Sequence, residues 1–129
     1  MITPEQFNKL LPLACAWVEE KERLILRDGL ALTDTELADA RKIGVKHPER
    51  VRLMSVASMP TPDHPELRGA AHAAALSPHT AGLSLRYGIF IRAEFWRSRR
   101  MVVHELVHTS QYERLGSIES FLSNTSRSA

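Results

Sequence analysis

Residues 101–116 read MVVHELVHTSQYERLG and contain two histidines, His104 and His108, that are separated by three residues. An α-helix turns about 100° per residue, so this spacing places both imidazoles on one face, where they can bind a single metal ion. Glu105 follows the first histidine, and a carboxylate in that position can accept a proton from metal-bound water. Apolar neighbours and a C-cap at Gly116 favour a helix over this stretch.

The H-E-x-x-H pattern is specific for a chain of this composition. The sequence contains 6 histidines in 129 residues. A shuffled chain would show the pattern only about 0.02 times, so chance explains it poorly. The alternative interpretation is an amphipathic helix that carries two histidines without a metal.

Catalytic zinc normally takes three protein ligands and leaves one position open for water. In a continuous helix Glu113 lies about 160° from the histidine face, whereas Tyr112 lies about 60° from it. Glu119 follows the Gly116 turn, where a chain reversal can bring its carboxylate over the metal. We therefore predict Glu119 as the third ligand and Glu113 as the second choice.

Two alternatives to this third ligand remain open. Glu119 can instead be a solvated acid that stabilises the N-terminus of its own helix. Upstream, His72 and His79 are the other possible ligands, although each is more typical of a loop or packing histidine.

The size and composition indicate one globular domain. The chain has 129 residues, 43% hydrophobic and 25% charged, with a net charge of +2. Because the basic residues are spread along it, we predict no nucleic-acid partner. Arg97, Arg99 and Arg100 are interpreted as a solvated helical turn, with an anion or substrate site as the alternative. We also predict no membrane association and no secretory signal. With Cys15 unpaired, we expect a cytoplasmic protein.

Local signals predict helices, then a small sheet, then the metal helix. Capping boxes at residues 3–6 and 33–36 predict two helices, and Pro12 should kink or divide the first. Residues 1–47 are thus a helical support layer, and residues 48–122 hold the sheet and the metal helix. We predict strands over 51–57 and 83–91. Ser117 should cap a last short helix, and we expect a disordered tail over 123–129.

The motif residues His104, Glu105 and His108 resemble those of the zincin superfamily of zinc metallopeptidases. With an acidic third ligand the chain is similar to the gluzincin branch, and it lacks the later histidine of the metzincin pattern. The order of the 83–91 strand and the following helix also resembles minimal zincins, in which an edge strand precedes the active-site helix. The resemblance covers residues 83–122 and implies an α+β, minimal zincin-like fold.

The resemblance implies zinc-dependent hydrolysis of peptide bonds, with Glu105 as general base. The substrate would be a peptide or an unfolded protein segment, paired with the edge of the 83–91 strand. We predict Tyr112 as a second catalytic residue that stabilises the oxyanion, and Tyr87 and His79 are further candidates for this role. One alternative is a non-hydrolytic regulatory or binding module that keeps the zinc and has a regulatory protein partner. The other is a metal-free structural domain.

Overall fold

The structure, a computed structural model, describes residues 3–128 of the chain. Over this range the fold is α+β, as the sequence predicts. The elements in chain order are α1 (Pro4–Asp28), β1 (Leu30–Ala31), α2 (Asp34–Lys42), β2 (Arg52–Val56), α3 (Pro65–Ala73), β3 (Gly82–Leu85), β4 (Gly88–Arg92), α4 (Arg99–Leu115) and α5 (Ile118–Ser128). Short 3-10 turns cover Pro48–Arg50 and Ala93–Phe95.

The two N-terminal helices begin at the predicted capping boxes. Thr3 and Thr33 each accept a hydrogen bond from the backbone three residues later, and the glutamine or glutamate at that position bonds back. Helix α1 runs undivided through Pro12. Leu10 and Val18 are buried on either side of the proline. Pro12 removes one backbone hydrogen bond from the helix. Because the buried residues on both sides of the proline hold α1 against the core, the helix continues through it.

The four strands form one mixed sheet in the order β1-β2-β4-β3. Strand β2 confirms the strand predicted near 51–57, and it pairs in parallel with β4. The segment predicted as one strand over 83–91 is instead an antiparallel hairpin of β3 and β4. Apolar residues alternate straight through its turn, so the periodicity does not reveal where the chain reverses.

The hairpin turn is held by Glu22 of α1. Arg86 lies in the turn at φ 66°, a left-handed conformation that is uncommon for residues other than glycine. The Glu22 carboxylate accepts hydrogen bonds from Arg86 Nε at 2.9 Å and from an Arg86 terminal nitrogen at 2.7 Å. It also accepts from the Tyr87 backbone N–H at 3.1 Å. These bonds compensate for the strained backbone of the turn.

Helices cover both faces of the sheet. One core cluster joins the sheet to α2 and α4 and includes Leu53, Ile89, Val102 and Leu106. The second cluster contains α1 residues such as Ile25, the strand residue Phe90, Tyr112 of α4 and Ile118 of α5. Helix α4 therefore contributes side chains to both cores, which fixes its rotation about its own axis. Among residues 3–128, no helix is both long and apolar enough to cross a membrane.

Contacts at both ends fix α4, the predicted metal helix. The Arg99 guanidinium binds both carboxylate oxygens of Asp39 at 2.9 Å, and Arg97 donates to the Ala31 carbonyl at 2.6 Å. Of the three arginines interpreted as a solvated turn, Arg99 therefore ties α4 to α2, and Arg97, which precedes the helix, ties the segment before α4 to β1. At the other end Gly116 adopts φ 87° as the predicted left-handed C-cap.

Helix α5 begins as predicted and extends farther than predicted. The Ser117 hydroxyl accepts from the Ser120 backbone N–H at 3.0 Å, which confirms the cap. The tail expected to be disordered over 123–129 instead continues α5 to Ser128. Ala129 lies outside the described residues.

Candidate metal-binding site on α4

His104 and His108 lie one turn apart on α4, as their spacing predicts. Their ring centroids are 5.3 Å apart and the rings are nearly perpendicular. The His104 side chain is 67% exposed. The His108 Nδ1 atom lies 2.8 Å from Gln111 Oε1. Since a carboxamide oxygen only accepts, Nδ1 carries the hydrogen in this contact and the Nε2 lone pair stays available to a metal.

Glu105 lies beside the two imidazoles but is buried. It is only 4% exposed, and its Oε2 atom is 3.9 Å from His104 Nε2. Burial raises the pKa of Glu105, while the two imidazoles and a hydrogen bond from the Ser84 backbone N–H act in the opposite direction. The carboxylate therefore occupies a narrow space between α4 and β3.

The predicted third ligand, Glu119, is not brought to the histidines. It is exposed on α5 and lines an open surface concavity with Leu115, Ser120 and neighbouring polar residues. Helix α5 instead turns its apolar side towards the body of the protein, and the Phe121 ring lies 6.3 Å from the His108 ring. In the part of the chain that the structure describes, no three His, Cys, Asp or Glu side chains are grouped so as to hold a metal ion. The two imidazoles therefore lie together, and no third protein ligand is assembled with them among the described residues.

Glu113, the second choice for the third ligand, faces away from the histidines, as helix geometry predicts. Its carboxylate accepts from the backbone N–H groups of Lys46 at 2.8 Å and His47 at 3.1 Å, and from the Tyr87 hydroxyl at 2.7 Å. Glu113 therefore fastens the loop after α2 to α4. Sequence reasoning missed this role because the partners lie far away in the chain.

Tyr112, named as a catalytic candidate, is a core residue. It is 2% exposed, and its ring stacks on Phe121 at 3.7 Å. Its hydroxyl lies 3.4 Å from the Ser84 carbonyl, and burial raises its pKa. A contact between Tyr112 and a substrate would require this core to open. Of the other oxyanion candidates, Tyr87 is bound to Glu113, and His79 lies exposed on a loop.

Strand β3 contributes site residues that the sequence did not reveal. A Cβ atom placed on Gly82 would lie 3.0 Å from Glu105 Oε2. The Ser84 hydroxyl contacts the Thr109 hydroxyl at 3.1 Å, and Thr109 donates to the Arg86 carbonyl at 2.7 Å. Helix α4 thus runs along the outer edge of the sheet and engages backbone groups that an added peptide strand would need. The only sequence signal was the position of Gly82, directly before the predicted strand.

Comparisons with known proteins do not assign the chain to a family. No protein-family model matches the chain, and neither a curated protein nor a solved structure matches it. The resemblance to zincins therefore depends on His104, Glu105 and His108. The strand directly before their helix is β4, which lies inside the sheet between β2 and β3, and not at its edge as the resemblance implied.

Proposed function

We propose that the chain is a zinc-dependent hydrolase of peptide bonds, with His104 and His108 as zinc ligands and Glu105 as general base. The observation that carries this proposal is the placement of two imidazoles 5.3 Å apart with a carboxylate 3.9 Å from one of them. Bound zinc would lower the pKa of a coordinated water to about 7 and polarise a carbonyl group. A cytoplasmic location, inferred from the single cysteine, is part of the proposal.

The chain's own residues supply orientation and proton transfer. Gln111 Oε1, 2.8 Å from His108 Nδ1, would hold the His108 tautomer that leaves the Nε2 lone pair free for a metal. Glu105 takes the proton from the attacking water and returns it to the leaving amine. Glu119 remains the predicted third ligand, and it reaches the histidines only if the first turn of α5 rearranges, because that turn is anchored by buried Ile118.

The proposed substrate is a peptide or an unfolded protein segment, and β3 limits how it binds. β3 is the edge strand next to α4. The Ser84 carbonyl and N–H are already bonded to Tyr112 and Glu105. Strand pairing by the substrate is therefore restricted to the Gly82 end of β3, which lies directly beside Glu105.

Zinc analysis combined with a peptidase assay tests the proposal. Protein purified without added metal should contain about one zinc per chain, and His104→Ala should lose it. Glu105→Gln should keep the zinc and lose turnover of fluorescein-labelled casein. His47→Ala, an exposed histidine in the loop after α2, is the matched control and should change neither result. Failure to bind zinc at neutral pH, or full activity of Glu105→Gln, would refute the proposal.

The second candidate is a regulatory or binding module that keeps the metal without hydrolysis. It is favoured by the burial of Glu105, since a base that is 4% exposed has little access to water. This function predicts about one zinc per chain and no turnover of a peptide library by the wild-type protein. A regulatory protein partner would then bind zinc-loaded chain and not the His104→Ala variant.

A further inference from the structure

We propose that Gly82 is a positioning residue for Glu105, because its missing side chain leaves the space in which the carboxylate lies. The catalytic meaning of this contact rests on the proposed function. The contact itself does not, since it joins two residues of the folded chain whether or not zinc is bound.

The requirement for glycine at position 82 comes from this contact and not from the backbone. Gly44 and Gly116 have positive φ angles and open space around them, whereas Gly82 lies in a strand without a positive φ. A Cβ on Gly82 would lie 3.0 Å from Glu105 Oε2, 3.1 Å from Glu105 Cγ and 3.0 Å from Met101 Sδ. A methionine side chain can change its conformation to make room. The Glu105 carboxylate is enclosed, so an added methyl group pushes it along α4 or outward.

The strand also holds the carboxylate by its backbone. The Ala81 carbonyl accepts from the Arg92 N–H at 2.9 Å, so the alternate residues Gly82 and Ser84 direct their backbone groups away from β4. The Ser84 N–H donates to Glu105 from this outer side. Together, the space at Gly82 and the donor at Ser84 define where the carboxylate lies relative to the imidazoles.

The alignment of β3 with α4 fixes the position of the Glu105 carboxylate opposite Gly82. Glu105 faces Gly82, and Thr109, one turn later, contacts Ser84. Four helix residues advance about 6 Å and two strand residues advance about 6.6 Å, so both contacts are satisfied together. The hydroxyl contact prevents β3 from sliding along α4 and keeps Gly82 opposite the carboxylate.

A double-mutant cycle measured by urea unfolding of the full zinc-free chain tests the contact. Gly82→Ala should lower the folding equilibrium constant by about tenfold, because the methyl group overpacks the space. In a Glu105→Ala background the same substitution should change the constant by less than about twofold, because the methyl group then fills a vacated volume. Equal effects in both backgrounds would overturn the proposal.

Two controls keep this test decisive. Gly69 is exposed on α3 with nothing within 4 Å of an added Cβ, so Gly69→Ala should have the same effect in both backgrounds. If Gly82→Ala does not fold, adding Glu105→Ala should restore folding. A double variant that also fails to fold would overturn the proposal.

A kinetic measurement separates positioning from a merely structural role. With fluorescein-labelled casein, Gly82→Ala should lower kcat by about 3- to 10-fold while KM and zinc content stay unchanged. The contacts require a shift of the carboxylate by a few tenths of an ångström, and a misplacement of about 1 Å lowers the rate by about 100-fold. A change in KM alone would contradict positioning. If the two substitutions are coupled in the unfolding cycle but the wild-type protein shows no turnover, the contact between Gly82 and Glu105 is supported and the proposed function is refuted.

Discussion

Removing Glu22 should destabilise the hairpin that carries β3 into position. The carboxylate is 3% exposed and accepts three hydrogen bonds, two from the Arg86 guanidinium and one from the Tyr87 N–H. Each bond to a charged group contributes about 1.5–3 kcal/mol, which gives a gross loss of about 5–9 kcal/mol. The Arg86 side chain is 36% exposed, so water replaces part of its interaction and the net cost is smaller. We expect Glu22→Ala to cost about 3 kcal/mol and Glu22→Gln about half of that.

Urea unfolding followed by far-ultraviolet circular dichroism measures this cost. With a slope of about 2 kcal/mol per molar urea, a loss of about 3 kcal/mol lowers the midpoint by about 1.5 M. The matched control is Glu20→Ala on the same helix, where the side chain is 67% exposed. That control should change the free energy of unfolding by less than about 0.5 kcal/mol.

A second substitution separates the ion pair from the strain of the turn. In the wild-type background, Arg86→Gly should destabilise because it removes the partner of a buried carboxylate. In the Glu22→Ala background it should stabilise by about 1 kcal/mol, because glycine adopts φ 66° without steric cost. A cost of Glu22→Ala no larger than that of the Glu20 control would refute this role of Glu22, and so would an effect of Arg86→Gly with the same sign in both backgrounds.

Two further predictions concern the tyrosines and Glu113. Burial and the bond to Glu113 raise the pKa of Tyr87 to about 12, and burial also raises that of Tyr112. The folded protein should therefore show little tyrosinate absorbance at 295 nm at pH 11. The stability that the protonated tyrosines contribute is complete below about pH 10 and should fall between pH 10 and 12. Full ionisation near pH 10 in the folded state would contradict this. Glu113→Ala leaves three donors, including the Lys46 and His47 backbones, without an acceptor. It should therefore lower the free energy of unfolding, measured by heat or urea, by about 2–3 kcal/mol without changing the zinc content. Loss of zinc would instead indicate that Glu113 is a ligand.

The parts of the fold that depend on neighbouring residues could be predicted from the sequence. The caps at Thr3, Thr33 and Gly116 act over three or four residues, and each is found where its pattern indicates. The same holds for the two histidines, because the helix alone determines that they share a face. The face of Glu113 also followed from helix geometry, although its partners did not.

The parts that depend on tertiary contacts could not be predicted. Arg86 takes a left-handed conformation while its side chain is bound by Glu22 of a distant helix. Gly88 in the middle of the predicted strand indicated an irregularity, but nothing in the local sequence indicated that the chain reverses at Arg86. Glu119 was expected over the metal because a turn can reverse the chain, but the packing of Phe121 and Ile118 decides which side of α5 faces inward. Gly82 shows its importance only once Glu105 is seen opposite it.

The parallel pairing of β2 with β4 has a consequence for the order of folding. These strands are separated by residues 57–87, so the chain must close a long loop before the centre of the sheet exists. Until then β2 can pair only with the two residues of β1 within this sheet. Helix α4 needs the hairpin to bury its apolar side, so the two histidines acquire their fixed orientation late in folding. If the chain binds zinc as proposed, metal capture during synthesis should therefore report completion of the sheet, and a zinc-sensitive probe would follow the last folding step.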